Sequence, residues 1–220
     1  PTVLEGGAAV SFTITSSNPS EENLTVTANT TNGTALASSD YTAVSGATAT
    51  ITGDSSATTT TIVVNIADDL RVEGSEGFTV DLSGAQYNGA TDVTRAIIGD
   101  ATGTGTISDN DSVAFTVTTP TSNVDENGMT HDVEVTATLS VLGAVGNAGL
   151  DQTISVDLAR TGGTANPTNP EADFTYATST LSFSGADGDG TSFQKDATLA
   201  IHEDIVDDDA ETIILGIQNL

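Results

Sequence analysis

The sequence predicts an all-β chain built as two tandem antiparallel β-sandwiches, and three observations predict it. Apolar residues recur at every second position in short runs, as strands with one buried and one wet face require. No window of about 11 residues carries apolar side chains at i, i+3, i+4 and i+7, so a helix has no seam to bury. The runs return in the second half with the same acidic loops between them, which puts two copies of one scaffold in 220 residues.

Taken in chain order, copy 1 offers Phe12 and Ile14, then Leu24, Val26 and Ala28 followed by the turn Gly33-Thr34-Ala35, then Val64 and Ile66, then Phe78, Val80 and Leu82, and it closes on Thr106-Ile107-Ser108-Asp109. Copy 2 opens with a strand over Val113 to Val117. It continues with Val133 and Val135 at an offset of 121 from their counterparts, and with Ile154, Val156 and Leu158 at an offset of 130. Gly163-Thr164-Ala165 follows, then Leu199 and Ile201 at an offset of 135, then Ile213, Leu215 and Ile217. Offsets that grow along the chain mean insertions in loops, here around Gly143 to Gly149 and Asn166 to Pro170, while the strands keep their order. The boundary falls near Asp111, giving domains 1–111 and 112–220, each large enough for a modest, mostly aliphatic core. Gly, Asn, Asp and Ser punctuate the strands at intervals that suit packed sheets of the immunoglobulin-like kind, without a Cys pair or Trp.

Composition narrows the function classes. The 31 Asp and Glu face only Arg71, Arg95, Arg160 and Lys195, for a formal charge of -27. Such a chain repels nucleic acid and anionic membrane, and no apolar run of about 18 residues exists to insert into a bilayer. Cations and polar surfaces are its natural partners. The absence of Cys removes disulfides, zinc-thiolate sites and thiol catalysis, leaving metal ions as the available staple. An acidic, Thr-rich, Lys-poor composition suits a secreted or cell-surface bacterial protein.

Two loops concentrate the charge. Asp68-Asp69-Leu70-Arg71-Val72-Glu73-Gly74-Ser75-Glu76 precedes the Phe78 strand, and Glu203-Asp204-Ile205-Val206-Asp207-Asp208-Asp209-Ala210-Glu211 precedes the Ile213 strand. Clustered carboxylates repel unless a hard cation is shared among them, and Ca2+ takes six to eight oxygens on flexible loops. Calcium is the expected ligand.

Five ordered pieces of copy 1 carry a resemblance: Glu5-Gly6-Gly7; Gly33-Thr34-Ala35 with Asp40-Tyr41; Ile66-Ala67-Asp68-Asp69; Glu73-Gly74-Ser75-Glu76-Gly77-Phe78; and Ile107-Ser108-Asp109-Asn110-Asp111. Together they resemble the Calx-beta domain, the calcium-binding sandwich of sodium-calcium exchangers, integrin beta-4 and many bacterial surface proteins. The resemblance implies carboxylate ligands from Glu5, Asp40, Asp68, Asp69, Glu73, Glu76, Asp109 and Asp111, and a backbone carbonyl from Arg71. In copy 2 it implies Glu126, Asp173, Glu203, Asp204, Asp208 and Glu211. That copy departs from the pattern: Phe174 stands in place of the Tyr, three residues are inserted before Asp173, and the closing Asp motif has no counterpart, so a weaker site is expected. With Asp109 and Asp111 among the ligands, ions are expected at the junction of the copies, stiffening the hinge.

Other motifs carry less. Asp187-Gly188-Asp189-Gly190 has Thr198 where an EF-hand needs its bidentate Glu, and reads as a hairpin turn. His131 and His202 lie far apart with no nucleophile signature, so no enzyme is expected. Three outcomes are consistent with the chain: a calcium-stiffened extracellular module for adhesion or matrix assembly, a regulatory calcium sensor, or a filament subunit. The last follows from the phase of the repeat. Copy 1 has no strand ahead of Val3 and copy 2 no closing strand, so adjacent repeats of the parent, or strand exchange in a homo-oligomer, are expected to complete both.

Overall fold

A computed structural model describes residues 1–7, 9–54, 56–119, 131–142, 148–167, 172–188, 190–202 and 210–219. Apart from a single 3-10 turn, Gly185–Asp187, all regular structure among these residues is β. The chain is all-β, as its alternation requires. No described helix is long and apolar enough to cross a membrane. Contacts divide the chain into two units. The first holds Pro1–Asp69 and Gly74–Asn110, and the second holds Leu70–Glu73, Asp111–Gly143 and Asn147–Leu220.

In the first unit β1 (Thr2–Leu4), β2 (Val10–Thr15), β3 (Leu24–Asn32), β4 (Ala47–Ile51) and β5 (Thr59–Val64) come before the acidic loop. Within that loop lies β6 (Leu70–Val72), which groups with the second unit, and β7 (Glu76–Tyr87) and β8 (Thr102–Ser108) follow. One sheet runs β1-β8-β7-β3-β4, and a two-stranded sheet pairs β2 with β5. All pairings in these two sheets are antiparallel except β1 with β8, which is parallel and aligns Thr2 with Thr106 and Leu4 with Ser108.

Alternation explains which face goes inward. On β2 Val10 and Phe12 are buried while Ser11 and Thr13 are exposed, and on β5 Ile62 and Val64 face the same core. Phe78, 1% exposed, is the centre of this core. Phe12 meets it edge-on at 5.8 Å and Tyr41 stacks on it at 4.4 Å.

The second unit repeats the plan with β9 (Ser112–Thr118), β10 (His131–Leu142), β11 (Ala148–Leu150), β12 (Ile154–Gly163), β13 (Phe174–Thr175), β14 (Ser179–Phe183), β15 (Ser192–Ile201) and β16 (Ile213–Gln218). Its sheets run β13-β15-β10-β9 and β14-β12-β16, with β6 and β11 as a short parallel pair. Val135, Leu139, Leu150, Leu158, Phe174 and Phe183 form its core, each under 2% exposed.

Pairing registers equate the two copies strand by strand. β4 and β14 share one burial pattern and lie opposite Leu24, Val26 and Ala28 in one unit and Ile154, Val156 and Leu158 in the other. Val64 pairs with Val10, and its counterpart Leu199 pairs with Val133. Val10 therefore matches Val133, and Phe12 matches Val135, two residues away from the match the sequence suggests. A period of two looks the same after a two-residue slip, so alternation fixes the face but leaves the register to pairing.

Candidate metal centre

The candidate ligands of copy 1 come from four short segments, each tied down by its own backbone. Glu5 follows β1; its N–H donates to the Ser108 carbonyl at 2.9 Å, which seats it beside the end of β8, and its residue is only 4% exposed. Asp109 and Asp111 follow β8 directly. Glu5, Asp109 and Asp111 bring one carboxylate oxygen each within 4.8 Å of one another.

Gly6 explains how the turn fits. Its φ is +63°, and a Cβ there would stand 2.5 Å from Asp68 Oδ1 and 2.9 Å from Asn110 Nδ2, so both conformation and space demand glycine. The Asn110 amide donates to the Glu5 carbonyl at 2.7 Å and to Asp68 Oδ1 at 3.1 Å, which ties the start of the first unit to the acidic loop. Nothing in the spacing of the sequence singles out Asn110, since its role depends on a turn brought close by the parallel β1–β8 pair.

A second group joins Asp40, Glu73 and Glu76, again with oxygens within 4.8 Å of one another. Asp40 is 6% exposed. Its Oδ2 accepts from the Leu36 N–H at 2.5 Å, and its carbonyl accepts from the Ala67 N–H at 2.9 Å. The next residue, Tyr41, bridges to Ile66, stacks on Phe78 and donates its hydroxyl to Asn32 Oδ1 at 2.6 Å. Asp40 is thus held by the core beneath it.

The remaining candidates of copy 1 are distributed around these groups. Asp68 is exposed and hydrogen-bonded by Asn110, and Asp69 is half-buried. Arg71 lies mid-way along β6; its Nε donates to Asp151 Oδ1 at 2.7 Å and stands 4.0 Å from Glu73 Oε1. Asp151 is held below the usual carboxylate range, chiefly by this hydrogen bond. The role of Asp151 was invisible in the sequence because it lies eighty residues from Arg71.

In copy 2, Glu126, Glu203, Asp204 and Asp208 lie outside the described residues. Asp173 and Glu211 are within them. Asp173 repeats the frame of Asp40: it is 6% exposed, its Oδ2 accepts from the Asn166 N–H, and its carbonyl accepts from the His202 N–H at 2.7 Å. Phe174 bridges to Ile201 as Tyr41 does to Ile66, and the Arg160 guanidinium lies 5.4 Å over its ring in place of a hydroxyl contact. Glu211 is exposed. The Asp187 carboxylate is engaged by the Ser184 N–H at 2.8 Å and by Lys195, capping the 3-10 turn, and Lys195 holds its pKa below the usual range.

The donor set fits a hard divalent cation. Three carboxylates offer up to six oxygens, carboxylate oxygen suits calcium rather than zinc, and the chain supplies no thiolate. Among the described side chains, His202 belongs to neither group.

Comparison with known proteins gives one family. The Calx-beta domain matches residues 2–102 and again 108–220. A search of curated proteins finds no match. Among solved structures, the crystal structure of calcium binding domain CBD12 of CALX1.1 is 18% identical, with a TM-score of 0.44, over 90% of this chain and 71% of that one. The crystal structure of CBD12 from CALX1.2 is 16% identical, with a TM-score of 0.42, over 99% of this chain and 76% of that one. The apo form of the Calx CBD1 domain is 18% identical, with a TM-score of 0.40, over 50% of this chain and 88% of that one. With nearly its whole length matched by two consecutive copies of the domain, the chain belongs to the Calx-beta family.

Proposed function

We propose that the chain is an extracellular calcium-binding structural module, whose loaded loops stiffen tandem sandwiches that serve adhesion or matrix assembly. The observation that carries this is the convergence of Glu5 with Asp109 and Asp111, and of Asp40 with Glu73 and Glu76. Such groups hold like charges a few ångströms apart, which is unfavourable without a shared counter-charge. Bound calcium supplies that charge and accepts hard oxygens in a flexible geometry. Glu5 and Asp40 contribute buried carboxylates on fixed backbones, while Glu73 and Glu76 approach from the acidic loop. Asp109 and Asp111 lie in the three-residue connection between Ser108, which ends β8, and Ser112, which begins β9. Holding both to one ion removes freedom from that connection, and this is the proposed source of stiffness.

The chemistry also favours a place where calcium is plentiful. Sites on exposed loops of extracellular modules work at millimolar calcium, and a chain with 31 acidic residues and no Cys is suited to such surroundings.

The test is a calorimetric calcium titration of the whole chain, paired with thermal melts in calcium and in EDTA. The reading expects binding heat and a melting temperature raised by calcium, with both diminished in an Asp40→Asn, Glu76→Gln variant. Equal melts in calcium and EDTA would reduce these loops to a solvated acidic surface and refute the proposal.

A further inference from the structure

The short parallel pair β6–β11 sets four residues on one face. Arg71 lies on β6 with Glu73 two positions on, and Gly149 lies on β11 with Asp151 two positions on, so in each strand the pair points to the same side. The register places Arg71 against Gly149, and the Asp151 N–H donates to the Val72 carbonyl at 3.2 Å, which carries the pairing one step further. All four residues belong to the second unit.

Gly149 makes the bed for a guanidinium. A Cβ there would stand 2.7 Å from Arg71 Nη1 and 3.1 Å from its Cζ, so the head of Arg71 lies where a side chain would otherwise be. From this position Nε donates to Asp151 Oδ1 at 2.7 Å, Nη2 donates to the same oxygen, and Nε stands 4.0 Å from Glu73 Oε1. The Asp151 side chain is 47% exposed and that of Glu73 only 10%. Asp151 therefore has the closer hydrogen bonds, while Glu73 is the more buried charge and gains more from a counter-charge.

Glu73 is also one of the three carboxylates, with Asp40 and Glu76, whose oxygens converge. A guanidinium and a metal cation on Glu73 exclude each other, since both are positive and both need its oxygens. Arg71 is a tethered rival of the ion, two residues from its target.

We propose that Asp151 is a positioning residue for this group: it holds the Arg71 guanidinium over Gly149 and off Glu73, which leaves the Glu73 oxygens to the cation. The proposal rests on the calcium reading and adds a control on affinity that lies outside the ligands themselves.

The test is a double-mutant cycle in calcium calorimetry on the whole chain. Asp151→Ala is expected to weaken calcium binding roughly tenfold. Arg71→Gln removes the rival but keeps the main-chain carbonyl, and is expected to tighten binding about twofold. With Arg71→Gln already present, Asp151→Ala is expected to cost no more than about twofold. Gly149→Ala alters no charge, and the atoms it meets are the end of a flexible side chain, so the guanidinium gives way rather than the strand. It is expected to weaken binding in the parent and to have no effect beside Arg71→Gln. A readout without calcium is NMR of the Arg71 Nε–H in EDTA, where a slowly exchanging signal is expected in the parent and in Glu73→Gln, and a displaced one in Asp151→Ala. Equal losses from Asp151→Ala with and without Arg71 would make Asp151 a ligand or a distant charge and overturn the proposal. A signal that follows Glu73→Gln instead of Asp151→Ala overturns it too. Absence of binding heat in the parent refutes the calcium reading and takes this proposal with it, whereas binding heat with additive variants sinks this proposal alone.

Discussion

At the scale of single residues, the carboxylates are positioned by neighbours that are not themselves ligand candidates. Asp40 keeps its place through the Leu36 and Ala67 amides, so Asp40→Asn retains the shape of the site and removes its charge. Its melting temperature in EDTA is expected to stay near that of the parent while the calcium-induced rise shrinks; Asp40→Ala also orphans the Leu36 N–H and is expected to lose about 1–3 kcal/mol in denaturant unfolding. Gly6→Ala forces a side chain into the left-handed region and against Asp68 Oδ1, and is expected to cost about 1–3 kcal/mol and to weaken calcium binding in the same titration. The acidic character of these loops was legible because charge density is a property of the string of residues. The amide clamps were not, because a main-chain donor looks the same in every residue, and Asn110 has its role only after β1 and β8 have met.

At the scale of elements, carboxylates on the outer strand faces tie neighbours together. Asp81 on β7 accepts from Thr31 on β3 at 2.7 Å and from Thr102 on β8 at 3.0 Å, and these bonds, Thr31 first, hold its pKa below the usual value. Asp157 on β12 is lowered in the same direction, by Thr180 and then Asn219. A carboxyl whose folded pKa lies below its unfolded one adds stability that is complete above the unfolded pKa and is lost as pH falls through the folded one. Urea unfolding in EDTA is therefore expected to show stability falling below about pH 4, with a shallower fall in Asp81→Asn. Strand existence and facing were legible from the alternation of Phe12 with Ile14, or Phe78 with Val80. The parallel β1–β8 pairing and the two-residue slip of β2 against β10 were not, since both depend on partners distant in sequence.

At the scale of the whole molecule, each unit has its own aromatic centre, Phe78 in one and the pair Phe174 and Phe183 in the other. Phe78→Ala is expected to cost about 3–5 kcal/mol and, in calorimetry, to lower the melting of the first unit while leaving a transition belonging to the second. The charge of -27 adds a diffuse repulsion to both, so sodium chloride in EDTA is expected to raise the melting temperature gradually, without the saturation that defines calcium sites. The duplication was legible in the sequence because the acidic loops and turns recur in order. It has one further consequence. From Leu36 to Asp40 the chain spans four positions, and from Asn166 to Asp173 it spans seven, yet the same two hydrogen bonds close around the carboxylate in each. A segment pinned at both ends is a graft point: foreign loops of differing length placed between Leu36 and Asp40 can diversify the rim of the site, as the complementarity loops of an antibody do, while the carboxylate beneath them stays where it is.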